Sequence, residues 1–91
     1  MLYEIHNTDY YQRKMFKFFK KHPEYIEKYE HVIDTLSMNP FHPSLRLHTL
    51  SGNLKGFHAI SLTYDYRVIL ELIIQDQKII LVDIGSHDEV Y

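Results

Sequence analysis

Beyond a short first segment, hydrophobic periodicity changes at a loop fixed by two prolines, Met38-Asn39-Pro40-Phe41-His42-Pro43. Before the loop, apolar residues recur at helical spacing. After it they alternate or run together, as strands do. Thr8 and Asp9 are good N-cap residues, and from Asp9 to His22 the residues Tyr11, Met15, Phe18, Phe19 and His22 fall on one side of a helix. Pro23 suits the first turn of a second helix and Glu24 suits its N-terminus. Tyr25, Ile26, Tyr29, Val32, Ile33 and Leu36 then carry the spacing to about Ser37. So short a link predicts an antiparallel helical hairpin.

The rest reads as strand. Leu2 to His6 alternates and suits a short first strand, and Leu45 to Leu50 suits another, closed by a turn at Ser51-Gly52-Asn53. Phe57 to Thr63 follows, with Tyr64-Asp65 as a turn. Tyr66 to Ile74 is nearly continuous and β-branched, which predicts a central strand. Gln75-Asp76-Gln77 turns the chain into a last strand, Lys78 to Ile84. The expected class is α+β, in the order β-α-α-β-β-β-β. The sheet is antiparallel-rich, with the hairpin packed on one face. Residues 1–91 form a single domain without repeat or linker, long enough to bury about 60–65 % of the unfolded surface.

Cysteine is absent, so neither a disulfide nor a thiolate metal site can form, which suits a reducing cytosol. The N-terminus lacks the basic and long apolar regions of a signal peptide, and no apolar run reaches membrane-spanning length. A cytoplasmic protein is the expectation, with no membrane partner. Net charge is −2 with seven histidines counted neutral, which argues against a polyanionic partner on global charge alone. Its distribution differs. Arg13, Lys14, Lys17, Lys20 and Lys21 gather opposite the apolar side of the first helix, as a solvated face or as a phosphate- and ribosome-facing one.

Chemistry-bearing side chains collect on the strands and their ends. They are His48, the Asp65-Tyr66-Arg67 triplet, and His87 with Tyr91 in the closing Gly85-Ser86-His87-Asp88-Glu89-Val90-Tyr91. Singly each has a bland reading: Asp65 as a turn residue paired with Arg67, and the two histidines as exposed rings. Jointly they match metal-independent RNA cleavage. A base takes the 2′-hydroxyl proton, a cation holds the charge growing on the phosphate, and an acid protonates the departing 5′-oxygen. Histidine suits acid or base, arginine the phosphate, and tyrosine a nucleobase. His42, His48, His58 and His87 show no metal-ligand spacing, and no phosphate loop or nucleophile elbow occurs, so no metal or cofactor is expected.

The ordered set Asn39-Pro40, Leu45-Arg46-Leu47-His48, Leu50-Ser51-Gly52, Leu54-Lys55-Gly56, Asp65-Tyr66-Arg67-Val68-Ile69 and Ile84 to Tyr91 resembles the RelE/ParE superfamily of bacterial toxins, and within it the YafQ-like mRNA interferases. The resemblance covers the C-terminal half with specific motifs and the hairpin only in kind. It implies an endoribonuclease cutting mRNA in the ribosomal A site and neutralised by a cognate antitoxin. By the same likeness His48, Asp65 and His87 are catalytic. Arg67 binds the scissile phosphate, and Tyr66, Tyr91 and Lys55 bind RNA. The chain departs from the pattern where Ser61 stands near an expected histidine; His58, three residues away, falls on the reverse face. Two other readings use the same scaffold: a ParE-like toxin that binds a topoisomerase without catalysis, and a catalytically weak relative that only pairs with an antitoxin. The histidine–carboxylate set favours the enzyme, since a binder has no need of it.

Overall fold

The computed structural model describes residues 2–91. Strands β1 (Glu4–Asn7), β2 (His48–Thr49), β3 (His58–Ser61), β4 (Tyr66–Ile73) and β5 (Lys78–Ser86) form one sheet in the order β1-β5-β4-β3-β2. β1 pairs with β5 in parallel; the other pairings are antiparallel. Helices α1 (Asp9–Lys21) and α2 (Ile26–Met38) make the expected hairpin, and a one-turn helix, α3 (His87–Val90), closes the chain. The α+β order predicted from periodicity holds, with α3 added.

Thr8 explains why α1 starts where it does. Its hydroxyl oxygen accepts from the Tyr11 amide at 3.0 Å and donates to the Leu81 carbonyl at 3.2 Å, tying the helix to the sheet as it caps it. Tyr11, Phe18, Val32 and Leu36 then pack on Ile60, Leu62, Val68, Leu70, Ile79, Leu81 and Ile84. Burial of each such side chain stabilises by about 1.5–3 kcal/mol. The Tyr11 hydroxyl, fully buried, finds its partner in the Tyr29 hydroxyl at 2.7 Å, and this bond crosses the hairpin. Leu81 and Ile84, three residues apart, both face the hairpin because the β4–β5 register shifts beside Ile69 and Leu70. The opposite face carries a smaller cluster of Ala59, Ile69 and Val90, flanked by Leu50, Phe57 and Val82.

The expected strand over residues 45–50 shrinks to His48–Thr49. Pro43–Leu45 is a 3₁₀ turn capped by Nδ1 of His42, and Arg46 turns left-handed at φ 54°. Leu45 and Leu47 pack on the core from this bent path, so their alternation imitated a strand. α2 begins three residues after Pro23, behind another 3₁₀ turn, and β5 runs on to Ser86.

Candidate functional site

His87 is placed by a capping box. Ser86 Oγ accepts from the Glu89 amide at 3.3 Å, and the Glu89 carboxylate accepts from the Ser86 amide at 3.0 Å. Hydrogen bonding from Ser86, its backbone amide first and then its side chain, holds the Glu89 carboxyl below its ordinary value. Gly85 permits the fit: a Cβ there would lie 3.2 Å from a Val90 methyl and 3.3 Å from Glu89 Cβ. α3 thereby folds back over the sheet and leaves the His87 ring exposed, edge-on to Tyr91 with centroids 4.3 Å apart.

Tyr91 joins this ring to His48. Nδ1 of His48 lies 3.0 Å from the Arg46 carbonyl, which can only accept, so Nδ1 carries the proton. In the neutral ring Nε2 is then the acceptor, and the Tyr91 hydroxyl donates to it at 3.2 Å. Burial raises the Tyr91 pKa against the opposing pull of Arg67, so the hydroxyl remains a donor at neutral pH.

Arg67 is fixed by the turn before β4. Its Nη1 donates to the carbonyls of Tyr64 at 2.9 Å, Thr63 at 3.0 Å and Tyr66 at 3.3 Å. Nε and Nη2 have no protein acceptor among the described residues, which leaves donors for an anion. The Asp65–Arg67 pair of the bland reading is not formed: Asp65 makes no ion pair among the described residues. In register Arg67 sits between Ser61 and Gly85, on the alternation of Ala59 and Ile69, hence on the face away from the hairpin.

Asp65, Arg67 and His87 border one open recess of about 430 Å³ with Tyr64, Tyr66, Ser86 and Asp88. His48 and Tyr91 border a second, of about 480 Å³, with the 49–54 segment. The Tyr91–His87 contact links the two. Ser61 stands on the Arg67 row, as the departure from the family pattern places it, while His58 shares its alternation with Ile60 of the hairpin-side core.

The remaining expected contact residues lie apart from one another. Tyr66 borders the recess of Asp65, Arg67 and His87, but its ring turns toward the hairpin. It packs in an aromatic cluster with Phe18 at 4.9 Å, His22 at 5.0 Å and Tyr25 at 5.8 Å, and its hydroxyl lies 3.3 Å from His22 Nε2. Lys55 is exposed beyond the 3₁₀ turn Gly52–Leu54 and lines neither recess. The basic stripe divides: Lys14 pairs with Asp83 of β5 at 3.0 Å, while Lys17 and Lys21 border a groove beside Phe18, Tyr66 and Glu89. Lys20 stays exposed, and Arg13 flanks the exposed Phe16. Sequence reasoning missed the Ser86–Glu89 box, although its spacing, Ser-x-x-Glu, is legible. No three His, Asp or Glu side chains among the described residues gather as metal ligands. No helix among them is long and apolar enough to cross a membrane.

Residues 3–91 match the family model described as the bacterial toxin of a type II toxin–antitoxin system, YafQ. No curated protein matches the sequence. Among solved structures the chain is similar to YafQ from E. coli, at 18% identity and TM-score 0.81 over 98% of each chain. It is similar to the toxin in the E. coli DinJ–YafQ toxin–antitoxin complex, at 19% identity and TM-score 0.79 over 100% of this chain and 99% of that one. A metal-bound toxin from Helicobacter pylori is 26% identical, with TM-score 0.79 over the whole of both chains. The chain therefore belongs to the YafQ family of bacterial toxins of type II toxin–antitoxin systems.

Proposed function

We propose that this toxin is a ribosome-dependent endoribonuclease that cleaves mRNA by acid–base chemistry and is held inactive by a cognate antitoxin. The observation that carries the reading is the recess shared by Asp65, Arg67 and His87. Arg67, pinned through Nη1 alone, offers its remaining donors to the scissile phosphate. Asp65, an unpaired carboxylate beside it, takes the 2′-hydroxyl proton. The 2′-oxygen attacks phosphorus, the bond to the 5′-oxygen breaks, and His87 gives that oxygen its proton. Tyr91 holds the His87 ring at its edge and is itself held by His48. The antitoxin follows from the E. coli relative, whose structure is a toxin–antitoxin complex.

The test is mRNA cleavage on purified ribosomes by the wild type, Asp65→Asn and His87→Ala. Each substitution lowers the rate by roughly 10²–10⁴-fold. Thermal unfolding of the His87 variant barely changes, because its ring is exposed. Wild-type protein that leaves mRNA intact yet remains toxic returns the reading to a non-catalytic toxin of the ParE kind.

A further inference from the structure

We propose that Lys28, Arg46 and Arg67 form a second phosphate pocket, which takes the phosphate adjacent to the scissile one on the same RNA strand. The inference rests on the RNA-cleaving reading above. A recess of about 390 Å³ lies between α2, the 3₁₀ turn before Arg46 and the end of β3. Lys28, His31, Arg46 and Arg67 border it with Ser61 and no carboxylate. None of its three permanent cations makes an ion pair among the described residues. Three cations without ion-pair partners border one recess in a chain whose net charge is −2, so the positive field is local and favours an anion.

Arg46 reaches the recess from a left-handed backbone at φ 54°, directly after the 3₁₀ turn Pro43–Leu45.

Two residues are common to this pocket and to the recess of Asp65 and His87: Arg67 and Tyr64. Tyr64 is 92% exposed, a bare aromatic ring between two anion sites. Phosphate, stackable base, phosphate is the repeat of a single RNA strand, and an aromatic ring flanked by cations is how such strands are held. An acidic peptide would satisfy the cations but leave the Tyr64 ring unused.

The test uses RNAs made uncleavable by a 2′-deoxy sugar at the scissile nucleotide, and reads affinity at low salt. A dinucleotide carries the scissile phosphate only; longer oligomers add one phosphate on the 5′ or the 3′ side. One of the longer RNAs should bind wild type about tenfold more tightly than the dinucleotide. Lys28→Gln and Arg46→Asn should each remove most of that gain and lower the salt slope by about one. Asparagine tolerates the left-handed backbone and Lys28 is exposed on α2, so both variants keep the fold. Equal wild-type affinity for all the RNAs, or a gain that survives in both variants, overturns the pocket and leaves the cleavage reading standing. Wild type that binds none of them removes the RNA reading itself. A glutamate-rich peptide bound in a Lys28-dependent way, with all RNAs bound alike, overturns the inference in favour of a protein occupant.

Discussion

The Tyr91 hydroxyl donates to Nε2 of His48 across 3.2 Å, joining the shortest strand of the sheet to the helix that closes the chain. The same ring stands against His87. Tyr91→Phe removes the donor and keeps the ring. A single exposed hydrogen bond contributes about 0.5–1.5 kcal/mol, so cleavage should fall no more than about tenfold. Tyr91→Ala also frees the His87 ring and should cost about 10²-fold. Single-turnover cleavage of a short RNA reads both. A phenylalanine variant as inactive as the alanine one would give the hydroxyl a proton-transfer role of its own.

The hairpin offers a test of stability separate from the site. Tyr11→Phe deletes the buried hydroxyl bonded to Tyr29. Burial is the main reason the Tyr11 pKa lies well above the ordinary tyrosine value, so the group never ionises in the folded state near neutrality. The substitution should cost about 1 kcal/mol, since Tyr29 is half-buried and reaches water once released. That lowers the melting temperature by about 4–8 °C and leaves cleavage unchanged, as neither tyrosine lines the site recesses. A shift below about 1 °C would mean that the bond contributes nothing net.

Much of this was legible in the sequence because it rests on burial. Tyr11, Phe18, Val32 and Leu36 announce the helices, and the apolar run from Val68 announces the central strand, since each must face the core. Alternation likewise put Arg67 and Tyr66 on opposite sides, while Asp65 lies in the turn before β4, as the turn reading of Tyr64-Asp65 has it. What alternation does not carry is a side chain's choice among polar partners. Arg67 takes backbone carbonyls in place of Asp65, and Lys14 takes Asp83 in place of solvent. Leu45 and Leu47 mimicked a strand because a 3₁₀ turn followed by a left-handed residue also aims two leucines at the core. The contact of Tyr91 with His48 spans 43 residues and depends on where α3 folds back, which no local spacing encodes.

Acid should loosen α3 before it unfolds the protein. Hydrogen bonds from Ser86 depress the Glu89 pKa in the folded state. A depressed carboxyl contributes stability that is present above its unfolded pKa and is lost as pH falls through the folded value. α3, and with it the placing of His87, should therefore fray below the ordinary glutamate range. The Ser86 amide proton, followed by NMR, should move toward its random-coil shift in that window. Glu89→Gln keeps a side-chain acceptor for the Ser86 amide but does not titrate, so the transition should vanish. A transition that persists in the glutamine variant would assign it to another carboxylate.

The proposed chemistry fixes the ends that cleavage would leave. With Asp65 as base, Arg67 on the phosphate and His87 as acid, the nucleophile is the 2′-oxygen of the RNA itself. Products must then carry a 2′,3′-cyclic phosphate, or a 3′-phosphate after its hydrolysis, beside a free 5′-hydroxyl. Water activated by a metal ion would attack phosphorus directly, form no cyclic intermediate and depend on the ion. Among the described residues His48 and His87 meet on the Tyr91 ring and His22 contacts Tyr66, and no three His, Asp or Glu side chains gather as a ligand set. If Asp65, Arg67 and His87 supply the chemistry as proposed, chelation should leave the rate unchanged. Ribosomes need Mg²⁺ for their own integrity, so the experiment belongs on a short RNA cut slowly without them. Mass spectrometry of its fragments, with and without EDTA, decides the matter. Cyclic phosphate ends at an unchanged rate are the expected result. Activity abolished by EDTA and restored by Zn²⁺ or Mg²⁺, with 5′-phosphate ends, would overturn it.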